Sequence, residues 1–416
     1  MQVVRKLRGL MQSVVERIIL LVFGISLAVL LVEAGFRVVY VHLPYPVQVK
    51  ASGLRLWGFG GPPLGLLIDS QDFYQTCMGD ERLFARILPG LSDVPIRTGP
   101  RNVWHVTSTD LGFDEIGFRT PESEGPWDGV VVGDSFTFCV GVEVQDCWVQ
   151  QLAEYTGLKL ANLGVTGTGS VSHLRYLEDY GWALQPKVVL WQFFLNDPRD
   201  DYNHVVKRLQ GCPRPQANAE PNVPSKEVRE CLSRTFATYV LVVRPALRYV
   251  FPQLAGPEAA TINYEQVMTT NNERLMVDSP RREKDDSQLL TGIDLTKEAI
   301  LSAARQASER NSRFLLVLVP RNSQVYADFL PFDQLIASAH VDDVVMDNLV
   351  AFAEAHEIQY VDLRSALREA AARGDDLYPA YDGHWSPSGN RLVAEFLADT
   401  VAEAVASLDA SEGGER

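Results

Sequence analysis

Four short segments of the chain hold side chains suited to acyl transfer. They are Gly133-Asp134-Ser135-Phe136-Thr137, Asn162-Leu163-Gly164-Val165-Thr166-Gly167-Thr168-Gly169, Leu195-Asn196-Asp197 and Asp382-Gly383-His384-Trp385-Ser386-Pro387. A serine hydroxyl is a weak nucleophile until a base accepts its proton, and imidazole is the side chain best poised for that near neutral pH. A carboxylate on the far side of the ring fixes its tautomer and stabilises the imidazolium. Ser135, His384 and Asp382 are therefore the candidate nucleophile, base and orienting acid, the last two on one loop. The tetrahedral oxyanion also needs donors aimed at it. The candidates are the backbone N–H groups of Ser135 and Gly167 and the side-chain amide of Asn196. Gly167 is expected to be glycine because a Cβ would obstruct close approach of the backbone. This chemistry calls for no cofactor. The chain has no CxxC pair and no His/Cys cluster that would mark a structural metal site.

Taken singly, each segment has an ordinary alternative. Gly-Asp-Ser and Asp-Gly-His are common turns, and Asn-Asp-Pro is routine loop chemistry. Their joint placement carries the argument. From Gly129 the pattern alternates short apolar strands with amphipathic helices. Strands are expected at Gly129–Gly133, Lys159–Leu163, Lys187–Leu195, Arg313–Val319 and Ile358–Leu363, and helical spacing at Trp148–Tyr155 and Val171–Leu184. Such alternation predicts a parallel sheet covered by helices on both sides, and such sheets place their sites beyond the carboxyl ends of the strands. The first three motifs fall at those ends, and the fourth stands before a helix running to about Leu408.

Together the four motifs resemble the SGNH (GDSL-like) hydrolase superfamily: GDSF the first block, NLGVTGTG the second, FLND the third and DGHW the last. The resemblance runs over about residues 100–410 and is closest to a membrane-anchored or exported branch with a final D-x-H-W, which includes proteins similar to alginate O-acetyltransferases. It implies a flavodoxin-like three-layer α/β/α sandwich. It also implies an extracytoplasmic serine esterase acting on O-acyl, chiefly O-acetyl, esters of a carbohydrate. An O-acetyltransferase acting on an exported polysaccharide or glycoconjugate is the first alternative, and a non-catalytic binding protein that keeps the fold is the second. The chain departs from the pattern in two places. Cys139 stands where many relatives have Gly, and the D-x-H spacing is shorter than the D-x-x-H of the wider superfamily. The G-x-S-x-G elbow of another serine hydrolase fold is absent around Ser135.

Ahead of these motifs, Arg5, Lys6, Arg8 and Arg17 precede an uncharged apolar run, Ile18–Val32, and apolar character resumes through Phe36, Val38, Val39 and Tyr40. Residues 14–40 are expected to form a transmembrane anchor, with 1–13 in the cytoplasm and the catalytic part outside it in the periplasm or extracellular space. The lipid bilayer is then a partner alongside the acyl-ester substrate. The competing readings are a signal peptide cleaved before Gly35 and a buried core helix. Residues 41–125 read as a connecting region without legible chemistry, and 126–410 as the catalytic domain, with an insertion at about 198–288.

That insertion reads as a cap or surface loops. Its apolar helical piece Thr235–Phe251, with Phe236, Tyr239, Val243 and Tyr249, is an alternative membrane-docking surface. The five cysteines fall at 77, 139, 147, 212 and 231, all after the candidate anchor, and Cys212 with Cys231 is the pair singled out for a disulfide. Arg321 is expected to face the catalytic edge, in a surface salt bridge or on an anionic substrate group. Trp385 either lines the acyl pocket or wedges the last helix. The formal net charge of −15 argues against nucleic acid as a partner, because phosphate binding needs a clustered basic surface.

Overall fold

The computed structural model describes residues 83–98, 102–114, 116–123, 126–206, 286–329, 333–379 and 382–413, the short strands at 74–76, 264–268 and 274–278, and helical positions between 16 and 38. The larger of its two compact units is Ile68–Thr98, Asn102–Ala219 and Thr261–Arg416. At its centre lies a five-stranded parallel sheet of β1 (Gly129–Val132), β2 (Leu160–Asn162), β3 (Val188–Phe194), β4 (Arg313–Val319) and β5 (Tyr360–Asp362). The spatial order is β5-β4-β3-β1-β2, the flavodoxin-like doubly wound arrangement. Strand order reverses between β1 and β3, which pair directly, Val130 beside Val189 and Val132 beside Trp191.

Successive side chains on a strand point to opposite faces, and here both faces are covered. Val131, Leu190, Leu315 and Val317 pack against α2 (Trp148–Thr156), α8 (Arg364–Arg373) and α9 (Pro387–Gly413). Val130, Val132, Val189, Trp191 and Leu316 pack against α3 (Ser170–Asp179), α5 (Asp286–Glu309) and α7 (Asp333–Ala355). The unbroken apolar runs of β3 and β4 follow from this burial on two sides. Between these helices lie three short ones, α1 (Ser135–Phe138), α4 (Asp197–Asp201) and α6 (Asn322–Val325).

The segment ahead of residue 126 is more structured than a connecting region requires. Val94–Thr98 and Asn102–Val106 pair antiparallel, and Ile96, Trp104, Ile116 and Phe118 join the core on the α3 side of the sheet. After β3, α4 is followed by a π-helical turn at Tyr202–Val206; 207–263 lie outside the described residues, and an antiparallel hairpin, Tyr264–Met268 with Arg274–Asp278, precedes α5. Both the Cys212/Cys231 pairing and the apolar piece at 235–251 thus fall outside what is described.

The smaller unit comprises Met1–Leu67, Gly99–Arg101 and Glu220–Ala260, and is described only at helical positions between 16 and 38. Leu20, Leu21, Phe23, Leu30 and Leu31 are exposed there. The expected membrane anchor over 14–40 finds no support: among the described residues no helix is long and apolar enough to cross a membrane. Positions 14, 15, 18, 19, 22, 25, 37, 39 and 40 of that stretch lie outside the described residues.

Candidate active site

The nucleophile candidate sits where β1 turns into α1. Asp134 caps this four-residue helix, its side chain accepting from the backbone N–H of Phe136 at 2.9 Å. That bond satisfies one of the donors a helix start leaves unpaired, so Asp134 braces the turn, as its place before the helix implies. Gln192 of β3 reaches under the same turn, its Oε1 accepting from the Asp134 N–H at 3.0 Å and the Thr137 hydroxyl at 2.9 Å. A Cβ on Gly133 would collide with both Gln192 and Thr137, so only glycine fits the last step of the strand.

The far end of α1 is held more heavily still. Cys139 adopts the left-handed conformation, φ 61°, that a β-carbon disfavours and glycine accepts. A disulfide to Cys147 ties it down. Arg119, buried in the segment ahead of the sheet, donates to the carbonyls of Phe138 at 3.0 Å, Cys139 at 2.6 Å, Val142 at 2.6 Å and His105 at 3.1 Å. Its guanidinium lies over the Trp104 ring, and burial brings its pKa down to about 9, still charged at neutral pH. Asn162, at the end of β2, adds a bond from its amide to the Thr137 carbonyl at 2.6 Å.

His384 comes from the other end of the chain. Its Nε2 lies 2.7 Å from Ser135 Oγ and its Nδ1 2.6 Å from Asp382 Oδ1, which also accepts the His384 backbone N–H at 3.2 Å. A two-residue spacing thus lets one carboxylate oxygen hold both ring and backbone of the histidine. The loop is docked by Trp385, buried edge-on against Phe136 at 4.8 Å with its indole N–H bonded to the Tyr378 hydroxyl. Asn390 then links α9 to α2: its Oδ1 accepts the Trp148 N–H at 3.0 Å while its amide holds the Trp385 and Ser386 carbonyls. Trp148 in turn bonds the Phe136 carbonyl.

The oxyanion candidates are placed less uniformly. Gly167 lies in the loop after β2, which runs beside the nucleophile turn through the Val165 N–H to Gly133 O bond. An added Cβ at Gly167 would meet no atom of the chain within 4 Å. Its φ of +70° is what favours glycine there, while the close approach belongs to Gly164, packed on the Thr137 and Phe138 backbone. Asn196 stands at the N-terminal boundary of α4 with no capping bond from its side chain. Its Nδ2 donates instead to Asp200 Oδ2 at 2.9 Å.

Beneath Asn196 lies a set of buried carboxyls. Ser170 donates to Asp197 Oδ2 at 2.7 Å, and the hydroxyl of Thr296 and the N–H of Val171 hold Asp201 at 2.7 and 2.9 Å. Burial pushes Asp134 up to about 6, Asp201 up to about 7 and Asp197 well above the carboxylate range. His173, buried 3.6 Å from Asp197, is driven the other way by burial, down to about 3. Among the described residues no group of three or more His, Cys, Asp or Glu side chains could hold a metal ion.

Arg321 follows β4 as expected, but its partner contact is not a surface one. Only 8% of its side chain is exposed, its Nε lies 3.4 Å from Asp342, and its guanidinium sits over Phe194. Of the remaining histidines, His105 pairs with Glu143 at 2.9 Å and His204 stacks on Phe84. Sequence reasoning missed Arg119, Asn162, Gln192, Asn390 and the Cys139–Cys147 bridge. The one available signal was Cys139 itself, a non-glycine residue at a turn, with Cys147 eight positions on.

A doubly wound parallel sheet with Ser, His and Asp in line beyond its strand ends is the architecture of SGNH-type proteins, a class that includes hydrolases and acyltransferases. The family described as "SGNH hydrolase-like domain, acetyltransferase AlgX" matches residues 281–414. Two proteins named probable alginate O-acetylase AlgJ are similar over part of their length. That of Pseudomonas putida is 27% identical over 105 residues, 25% of this chain and 26% of that protein. That of Pseudomonas aeruginosa is 24% identical over 148 residues, 36% of this chain and 34% of that protein. The chain thus spans about a quarter to a third of the length of these relatives. A putative lipolytic protein of the G-D-S-L family from Desulfitobacterium hafniense superposes with a TM-score of 0.35 at 11% identity, over 65% of this chain and 98% of the other. Over residues 281–414 the chain is thus similar to an SGNH hydrolase-like acetyltransferase family, and over part of its length to alginate O-acetylases.

Proposed function

We propose that this chain catalyses O-acyl transfer at Ser135, taking an acetyl group from an ester and delivering it to a carbohydrate hydroxyl or to water. The Ser135–His384–Asp382 line of contacts, 2.7 and 2.6 Å, carries this reading. Ser135 Oγ attacks the ester carbonyl carbon while its proton passes to His384 Nε2. The tetrahedral intermediate collapses, the C–O bond to the leaving alcohol breaks, and His384 returns the proton to that oxygen. An acceptor hydroxyl then repeats the sequence in reverse on the acyl-enzyme: its oxygen bonds the carbonyl carbon, its proton goes to His384, and Ser135 leaves with that proton. Backbone N–H groups of Ser135 and Gly167 and the Asn196 amide serve the oxyanion. Likeness to an acetyltransferase family and to alginate O-acetylases favours a sugar hydroxyl over water as the final acceptor.

The buried Cys139–Cys147 bridge beside the nucleophile supports an oxidising, extracytoplasmic location, because structural disulfides persist where thiols are not kept reduced. The test uses the full chain with 4-nitrophenyl acetate as donor and an uronate or neutral oligosaccharide as acceptor. Release of 4-nitrophenol and acetylated oligosaccharide, with both activities and serine-directed phosphonate labelling absent in Ser135→Ala, is the expected result. Labelling that persists in the folded Ser135→Ala protein removes Ser135 from the nucleophile role.

A further inference from the structure

Asn196 presents a puzzle of orientation. Its side chain does not cap α4, so local helix chemistry does not set the direction of its amide. Two carboxyls face it instead: Asp200, whose Oδ2 accepts from Nδ2 at 2.9 Å one helical turn further on, and Asp134, whose pKa a side-chain bond from Asn196 draws down against burial. A carboxylate can only accept, so an amide turned by 180° would put its carbonyl oxygen against the Asp200 oxygens. The bond therefore selects one of the two amide orientations as well as fixing the rotamer, and a charged acceptor makes it stronger than a neutral one.

Asp200 is itself mounted on a fixed base. Its backbone N–H bonds the Asn196 carbonyl at 3.0 Å, closing the turn that carries both residues. Its neighbour Asp201 is tied to α3 through the Val171 N–H and to α5 through Thr296. Asp197, at the start of the same turn, is tied to Ser170. α5 packs so closely here that a Cβ on Gly292 would collide with the Pro198 carbonyl. The acid that holds the amide is thus mounted on α3 and α5 rather than on a free loop.

We infer that Asp200 is a positioning residue for the oxyanion hole, holding one N–H of Asn196 so that the other is presented to the developing oxyanion. The inference rests on the acyl-transfer reading, and it adds a residue outside the four motifs. Asp200 is assigned no direct role on the ester. It acts through the aim of a neighbour's amide, so its loss appears in the transition state and hardly in ground-state binding.

A double-mutant cycle in the full chain, read with 4-nitrophenyl acetate, tests this. Asn196→Ala should lower kcat roughly 100- to 1,000-fold. Asp200→Ala should lower kcat about tenfold with KM within about twofold, and should cost less than about twofold more once Asn196 is already Ala. Asp200→Asn keeps a carbonyl oxygen to accept the same bond and should retain kcat within about threefold. Arg199→Gln, which removes the exposed ion pair to Asp200, should leave kcat unchanged. An equal loss from Asp200→Ala in both backgrounds would show a general structural role and overturn the inference. So would an Asp200→Asn protein as impaired as Asp200→Ala, or an Asp200→Ala protein with wild-type kcat beside a crippled Asn196→Ala. Full kcat in Asn196→Ala overturns it too while leaving Ser135 in place. A wild-type chain that neither labels with phosphonate nor turns over the ester removes the acyl-transfer reading itself, and the inference with it.

Discussion

The two sides of the candidate site follow adjacent strands of one sheet yet are held by opposite kinds of chemistry. After β1, the nucleophile turn is fixed largely by groups that do not titrate near neutral pH: a disulfide, a guanidinium on four backbone carbonyls, and the Gln192 and Asn162 amides, with the Asp134 cap, raised to about 6, the exception. After β3, the Asn196 segment is fixed through Asp197, Asp200 and Asp201, two of them buried and held above the ordinary carboxylate range. The first side should answer to reduction, with Asp134 as a titrating brace, and the second chiefly to pH. Position in a sheet therefore does not dictate how a catalytic group is held, and the difference can be attacked from either end.

The largest effect is expected at Arg119. Arg119→Ala strands several buried carbonyls beside Cys139 and should lower unfolding stability by about 3–5 kcal/mol, measured by urea denaturation. An Arg119→Ala protein of wild-type stability would show that the guanidinium does not hold the nucleophile turn. Opening the disulfide comes next. With the two cysteines eight positions apart, Cys147→Ser should cost about 2.5 kcal/mol. Reductant should lower the wild-type unfolding midpoint and leave that of Cys147→Ser unmoved. Equal loss in both would place the sensitivity elsewhere.

The smallest effect tests the acidic side. Asp201 has its folded pKa raised to about 7, so its stabilising contribution is complete below its unfolded value near 4 and is lost as pH rises through 7. His173 slopes the other way, since a folded pKa lowered to about 3 means stability present above 6.5 and lost as pH falls. Asp201→Asn removes the first slope alone. Its stability relative to wild type should rise by roughly 2 kcal/mol between pH 5 and pH 8. A difference that stays flat across that range would break the contrast between the two sides.

The same contrast explains what the sequence could and could not reveal. Strands β3 and β4 were legible because burial on both faces leaves an unbroken apolar run, and Arg313–Val319 coincides with the strand found. Ser135, Asn196, Asp382 and His384 were legible as candidates because each sits in a compact motif at a strand end or before a helix. Arg119 was not, because a lone arginine in a region of irregular composition leaves no periodic trace. Its partners are backbone carbonyls, which have no residue type. The Cys139–Cys147 pairing was equally hidden, since spacing does not fix connectivity, and attention fell on Cys212 and Cys231 instead. At Gly167 the backbone sign was hidden too: close approach and a positive φ both call for glycine, and the φ of +70° is visible only in coordinates.

The bond between Ser135 and His384 joins residues 249 positions apart, and the Trp148–Asn390 bond that docks the last helix spans 242. Contacts of such separation are the slowest to form and the last to be possible while a chain is being made from its N-terminus. β1, β2, β3 and the disulfide loop can all assemble before the segment bearing Asp382 and His384 exists. On the proposed acyl-transfer reading, a nascent or half-folded chain carries a serine without its base, chemically idle amid any esters around it. Reactivity arrives only with α9, which makes the closing helix a timer as well as a scaffold.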